Sequence, residues 1–595
     1  MSIERNPVGR QTADRGPLRW IAFAFIALVA LFVAWIAVTA FGAKSQLQQV
    51  RDSAQQVKEA LIKGDTNAAV EWADKAVTQS QSAQRSTHST AWNIAAGIPL
   101  LGGPIKSAQQ MSDVVAGLAS DVLRPGARAG VGLSPSKMYA NGRIDVQLLR
   151  QQGPELQSLA DSAGRINIQA GAIPSASLIS PIQNARAQLQ EQTASTAGLL
   201  RNSALAAQIG PAMMGADGPR TYLMAFQTNA EARGTGGLLG GFGVLRFDNG
   251  KPSVDTLAPN SELSGASAVV DLGPDFRDQY GFTNPFTDFR NSNLSSHFPY
   301  AAQIWKSMWE RQSGVRVDGV IALDPVALSY ILAAEGPVTL ADGQVVTADN
   351  VVELTESTAY VKFPTDQAAR KKYLQDIANE VVKKTTGQVR SPGKLLEALG
   401  RGASERRIMV WSAVPAEQSV LEQTPLGHVI PDDPAPYAAV VINNLGGNKM
   451  DYYLRREIKY TADGCSGDMR TSSITVRLSN TAGDRRLPDY VAGTMGLIPG
   501  LPMKISPGTM VTSVRVIATK GAKLVSITSN GERISAVRHD ERGHPTFEVQ
   551  VAIPPGQSGE LSFQLSEPTA KGEPRVPVQP LIDVVSPDVS VPACQ

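Results

Sequence analysis

The residues best suited to chemistry stand at the end of an apolar run. Tyr222-Leu223-Met224-Ala225-Phe226 reads as a buried strand and leads into the polar Gln227, Asn229, Glu231 and Arg233. Six glycines then fall between Gly234 and Gly243. Glycine lets backbone N–H groups approach an anion closely, and an arginine fork grips phosphate oxygens in pairs. A phosphate-bearing ligand at this strand end is the sharp expectation; a tight turn between packed strands is the plain one. Asp288-Phe289-Arg290-Asn291-Ser292-Asn293, in a loop before a helix, could contribute. So could Arg370-Lys371-Lys372, on a helix after Tyr360-Val361-Lys362-Phe363, although a solvated helix face explains that triplet equally well.

The elements around these residues divide the chain. Over 44–215, Leu47, Val50, Ala54, Val57 and Leu61 recur at helical spacing, as do Ala69, Trp72 and Ala76. This segment reads as a helical stalk or bundle. Its apolar turn at 97–104 is expected to be a packed helix connection, with contact to lipid as the functional alternative. Over 216–447, β-type runs alternate with helices, including a hairpin turn at Asn249-Gly250, which predicts an α/β domain with helices packed on a sheet. Over 448–595, six strand candidates separated by Gly, Pro, Asn and Asp turns predict a β-sandwich. The expected fold class is α+β multidomain.

Composition removes several functions. The 595 residues hold 56 Lys+Arg against 54 Asp+Glu, without the basic balance of a nucleic-acid binder. That holds segment by segment, since 448–595 carries 17 basic and 15 acidic residues. The five histidines show no zinc-ligand spacing, and no P-loop motif occurs. Hydrophobic residues at 42 % exclude disorder of the whole chain.

From Trp20 to Ala43 no residue is charged. About 20 apolar residues of helix span a hydrocarbon core. A cleaved signal peptide would carry a shorter apolar run of about 7–15 residues, and only Val38-Thr39-Ala40 resembles its cleavage site. Arg5, Arg10, Arg15 and Arg19 precede the run, so 1–19 is expected as a cytoplasmic tail, 20–43 as a single transmembrane helix, and the rest as extracytoplasmic. An oxidising exterior permits a disulfide between the two cysteines, Cys465 and Cys594; two unpaired thiols are the alternative.

The stretch QTNAEARGTGGLLGGFGVLRFDNG resembles the family catalogued as domain of unknown function four-zero-one-two. The pieces DFRNSNLSSHFPYAAQIW, VDGVIALDPVALSYILAAEGPV and NLGGNKMDYYL are similar to that family too, and so is the layout of anchor and stalk. More distantly, about 217–385 resembles the LytR-CpsA-Psr glycopolymer transferases, by the order of motifs rather than by identity. Those enzymes move a polymer from a polyprenyl pyrophosphate onto a cell-wall hydroxyl outside the membrane. The resemblance implies that Arg233, Arg290 and Arg370 grip pyrophosphate, with Gln227 and Asn229 beside them. It implies that Asp288 or Glu231 serves as base or holds Mg²⁺, and that an apolar cavity holds the lipid tail. The chain departs from that pattern at Gly234-Thr235, where the family has an aspartate, and at Lys362, where it has an arginine pair. Binding of a phosphorylated lipid or glycan survives these departures better than transfer does. The expected function is therefore to bind or transfer polyprenyl-phosphate-linked glycopolymers, with a non-enzymatic envelope scaffold as the alternative.

Overall fold

The computed structural model describes residues 16–99, 102–130, 138–140, 142–175, 179–387, 389–494 and 505–594, with the backbone alone over 16–38. The chain forms two compact units: 1–137 with 148–208, and 138–147 with 209–595.

The first unit is helical among its described residues. Helix α1 is Gly16–Lys63, α2 Thr66–Thr87, α3 Thr90–Ala96, α4 Gly102–Gly117, α5 Val146–Gly171 and α6 Ser180–Met213, the last two reaching into the second unit. Asp65 caps α2 by accepting from the Ala68 N–H at 3.0 Å. The buried face of α2 is small, with Ala69, Ala73, Ala76 and Ala83 at helical spacing, so α1 and α2 pack closely around Val57 and Ala60. Among the described residues no helix is long and apolar enough to cross a membrane. Most of the expected span, 20–38, lies outside the residues whose side chains are described.

The second unit begins with a five-stranded sheet: β1 (Arg220–Arg233), β2 (Gly236–Asp248), β3 (Lys251–Pro259), β4 (Gly319–Leu323) and β5 (Ile408–Ser412), in the order β3-β2-β1-β4-β5. The β2–β3 turn places Asn249 and Gly250 at positive φ, as an Asn-Gly hairpin requires. Strands β1 and β4 are parallel, pairing Tyr222 with Gly319 through Phe226 with Leu323. Helix α7 (Phe298–Ser313) covers one face through Trp305 and Met308 against Leu223, Ala225 and Phe242. Helices α8 (Pro325–Glu335) and α9 (Gln367–Thr386) lie on the other side, around Leu332, Ile377 and Val381.

Two further sheets face each other across one core. The first contains β6 (Ala438–Asn444), β9 (Met510–Ala518), β12 (Val537–Glu541) and β13 (His544–Ile553), ordered β6-β9-β13-β12. The second contains β7 (Leu454–Ala462), β8 (Met469–Asn480), β10 (Lys523–Ser529), β11 (Glu532–Ile534), β14 (Ser558–Pro568) and β15 (Asp588–Ser590), ordered β11-β10-β14-β8-β7-β15. Ile442, Val514 and Phe547 meet Tyr460, Ile474 and Phe563 between them. Strand β6 falls before the 447/448 boundary drawn from the sequence, yet it pairs with β9. All seven of its residues are buried, Ile442 in the sandwich core and Val441 in a second cluster with Ile430 and Tyr437. A strand buried on both faces reads like the core strand of an α/β sheet. The molecule is thus mixed α+β with several sheets.

Candidate functional site

In open α/β sheets ligands gather beyond the carboxyl ends of parallel strands. Here those ends are Phe226 and Leu323, and β1 runs on for seven more residues. Its pairing with β2 shifts register between Thr228 and Ala232. A bulge of this kind leaves backbone donors without ladder partners. Buried carboxyl groups take them up. Glu356 accepts the Ala230 N–H at 2.7 Å, and Asp451 accepts the Ala232 N–H at 2.8 Å. Burial pushes the Glu356 carboxyl up to about 8 and the Asp451 carboxyl up to about 6, against the opposing pull of these hydrogen bonds.

Glu231 and Arg233 lie within this cage. Glu231 accepts from Arg233 Nη2 at 2.9 Å and pairs with Lys449 Nζ. Burial would raise the Glu231 carboxyl, but Lys449 and Arg233 outweigh it and hold it below its usual range. Arg233 is 4 % exposed; its Nε donates to the Arg290 carbonyl at 2.8 Å and its Nη1 to the Ala232 carbonyl at 2.9 Å. Asn229 donates to the Pro580 carbonyl at 2.8 Å, and Gln227 accepts from Thr235 beside Asn293. Asp288 caps a short turn through the Arg290 N–H and takes the Arg290 guanidinium in a forked pair at 2.8 and 2.6 Å. Burial would raise the Asp288 carboxyl, and the hydrogen bonds from Arg290 overcome that and lower it.

Arg370 belongs to the far end of the same chain of contacts. Its Cζ lies 3.8 Å over the Tyr490 ring, and its Nη1 donates to the Phe363 carbonyl at 2.7 Å. Lys449 Nζ is 5.4 Å from the ring of Tyr360, which stacks on Tyr490. Arg233, Glu231, Lys449 and Arg370 are therefore linked through the tyrosine pair, with Arg290 joined at the Arg233 end. None of them lines the cleft described below. Asp288 and Glu231 both commit their oxygens to cations, so these donors do not fit a Mg²⁺ ion. Among the described residues no group of three or more His, Cys, Asp or Glu is gathered for a metal.

Two of the glycines serve packing. A Cβ on Gly234 would collide with the Leu294 carbonyl, and one on Gly237 with the Thr228 carbonyl.

A separate opening lies beside the cage. A narrow cleft with about 90 Å³ of free volume is lined by Phe226, Phe242, Leu257, Leu328 and Leu374, with Asp324, Glu356 and Lys371 as its charged residues. Glu356 thus borders both cage and cleft, from a π-helical turn at Leu354–Thr358. Such turns recur at functional sites. Asp324 caps α8 through the Ala327 N–H and pairs with Arg407 at 2.8 Å; burial outweighs Arg407 and raises its carboxyl. Glu356, Asp451 and Lys449 escaped the sequence reading because their partners lie 126, 219 and 218 residues away. The cysteines are joined: Cys465 and Cys594 form a disulfide with Cα atoms 5.6 Å apart.

Fold and site define a three-layer α/β domain whose central strand plugs into a β-sandwich through buried ions. The segment 217–360, from before β1 to Tyr360, matches a family model described as protein of unknown function, DUF4012. No curated protein and no solved structure matches the chain.

Proposed function

We propose that this chain is a membrane-anchored, extracytoplasmic envelope protein that binds polyprenyl-phosphate-linked glycopolymers through the cleft beside β1. The observation that carries this reading is the cleft itself. Its walls are apolar aromatic and leucine side chains, suited to an isoprenoid chain, and Lys371 supplies a cation for the phosphate. The position beyond parallel strand ends and the resemblance to LytR-CpsA-Psr proteins support it further. Binding is favoured over transfer because Asp288 and Glu231 are held in ion pairs.

The scaffold reading has one observation of its own. Arg233, Arg290 and Arg370 do not line the cleft, and Arg233 with Glu231 and Lys449 joins the α/β domain to the sandwich.

Titration of the full chain in detergent with a long-chain polyprenyl phosphate tests the choice. The Ala378→Trp variant fills the cleft from its α9 wall, and should bind about tenfold more weakly or worse, at unchanged circular dichroism. Equal binding by wild type and variant would leave the scaffold.

A further inference from the structure

The first helical unit exposes apolar side chains at one end. Trp92 Nε1 on α3 donates to Thr39 Oγ1 on α1 at 2.7 Å, which sets α3 beside the stretch of α1 that contains Phe41. Phe41 is 77 % exposed, Ile94 58 % and Ile98 39 %. Ile94 and Ile98 stand four residues apart, and the turn they flank is closed by the Gly97 N–H donating to the Ile94 carbonyl. The residues just after α5 reach the same end, since Ser107 Oγ, less than two turns into α4, donates to the Pro174 carbonyl at 3.0 Å. Ile168, in the last turn of α5, and Ile179, just before α6, are 73 % and 41 % exposed.

The charge of this end is one-sided. No Asp or Glu occurs from Ala76 to Ser112, nor from Ser162 to Gln190. These two segments carry Arg85, Lys106, Arg165 and Arg186, and Lys44 follows Phe41 within one helical turn. Exposed isoleucines and phenylalanine, bordered by Lys44 and Lys106, match the boundary between headgroups and acyl chains of an anionic bilayer, while Asp113 is taken up beside Arg85 by Gln84 and His88. A second copy of this chain would bring the same cations face to face.

We infer that this end of the helical unit rests in the interface of a lipid bilayer, as a second contact beside the span. The inference rests on the reading of 20–43 as a membrane anchor, because α1 carries that apolar run directly into Phe41. Trp92, buried with its N–H satisfied, holds α3 against α1 at this end. Ile98, at the start of the α3–α4 turn, is then a contact with lipid, the alternative that the apolar sequence left open.

Both cysteines are paired, so a single introduced cysteine labels uniquely. The full chain is reconstituted into phosphatidylcholine–phosphatidylglycerol vesicles with an environment-sensitive fluorophore at Ile94→Cys, Ile98→Cys or Ile179→Cys. Leu199→Cys is the control, exposed and about 30 Å further along α6 than Ile179. Lipids carrying a nitroxide near the headgroup should quench the first three about twofold or more and leave the control bright. Unquenched probes at 94, 98 and 179, in protein that floats with the vesicles, would overturn the inference while leaving the anchor standing. Equal quenching at 199 would overturn it too. Protein that fails to float would remove the anchor and the inference together.

Discussion

Glu356 is the residue that couples the buried cage to the cleft. Its raised carboxyl makes a sign-definite prediction. A folded-state value of about 8 exceeds the ordinary glutamate value of about 4.3, so the folded chain holds a proton that the unfolded chain releases. The stability from this group is complete in acid and falls as pH rises through 8. The slope is at most about 1.4 kcal/mol per pH unit between roughly 5 and 8. Glu356→Gln keeps an acceptor for the Ala230 N–H and removes the titration. Thermal midpoints of wild type should therefore fall from pH 5.5 to 8.5 more steeply than those of the variant. Parallel curves would show that Glu356 is not the proton-holding group. At this scale the sequence revealed half of each interaction. Glu231 and Arg233 stand out as charges at the end of an apolar strand. Lys449 and Asp451 carry no local pattern, and only folding brings them to that strand.

Elements were more legible where turn chemistry is local. Asn249-Gly250 marks its hairpin because only that backbone conformation closes the turn. Most strands of the sandwich announce themselves by alternation, but β6 is buried on both faces, β12 is almost wholly polar, and β11 and β15, three residues each, are too short to show a period. The glycine run was ambiguous, since close packing and anion approach both demand the absence of a Cβ. The structure places carbonyl oxygens against Gly234 and Gly237. Gly234→Ala should thus lower stability by about 1–3 kcal/mol or more, read as a lower urea midpoint, because the obstacle is backbone and cannot rotate away. An unchanged midpoint would return the hairpin to the list of anion sites.

At the scale of the molecule, composition excluded functions and the contacts supplied what holds the parts together. A net charge of +2 conceals two acid-free segments of the helical unit, 76–112 and 162–190. The disulfide closes the C-terminal segment onto the sandwich, where β15 pairs with β7 and Arg470 donates to the Pro592 carbonyl. Buried pairs such as Arg456 with Asp583 reinforce that closure; removing one partner of such a pair costs about 3–5 kcal/mol. Above all, the cleft beside β1 is proposed to receive the lipid part of an envelope glycopolymer carrier. That is tested most directly by extracting the purified full chain with organic solvent and identifying the lipid by mass spectrometry, with Ala378→Trp purified alongside. The account predicts a polyprenyl phosphate, or its glycosylated form, near one per chain in wild type and strongly depleted in the variant. Membrane lipids alone, in equal amount from both proteins, would contradict it.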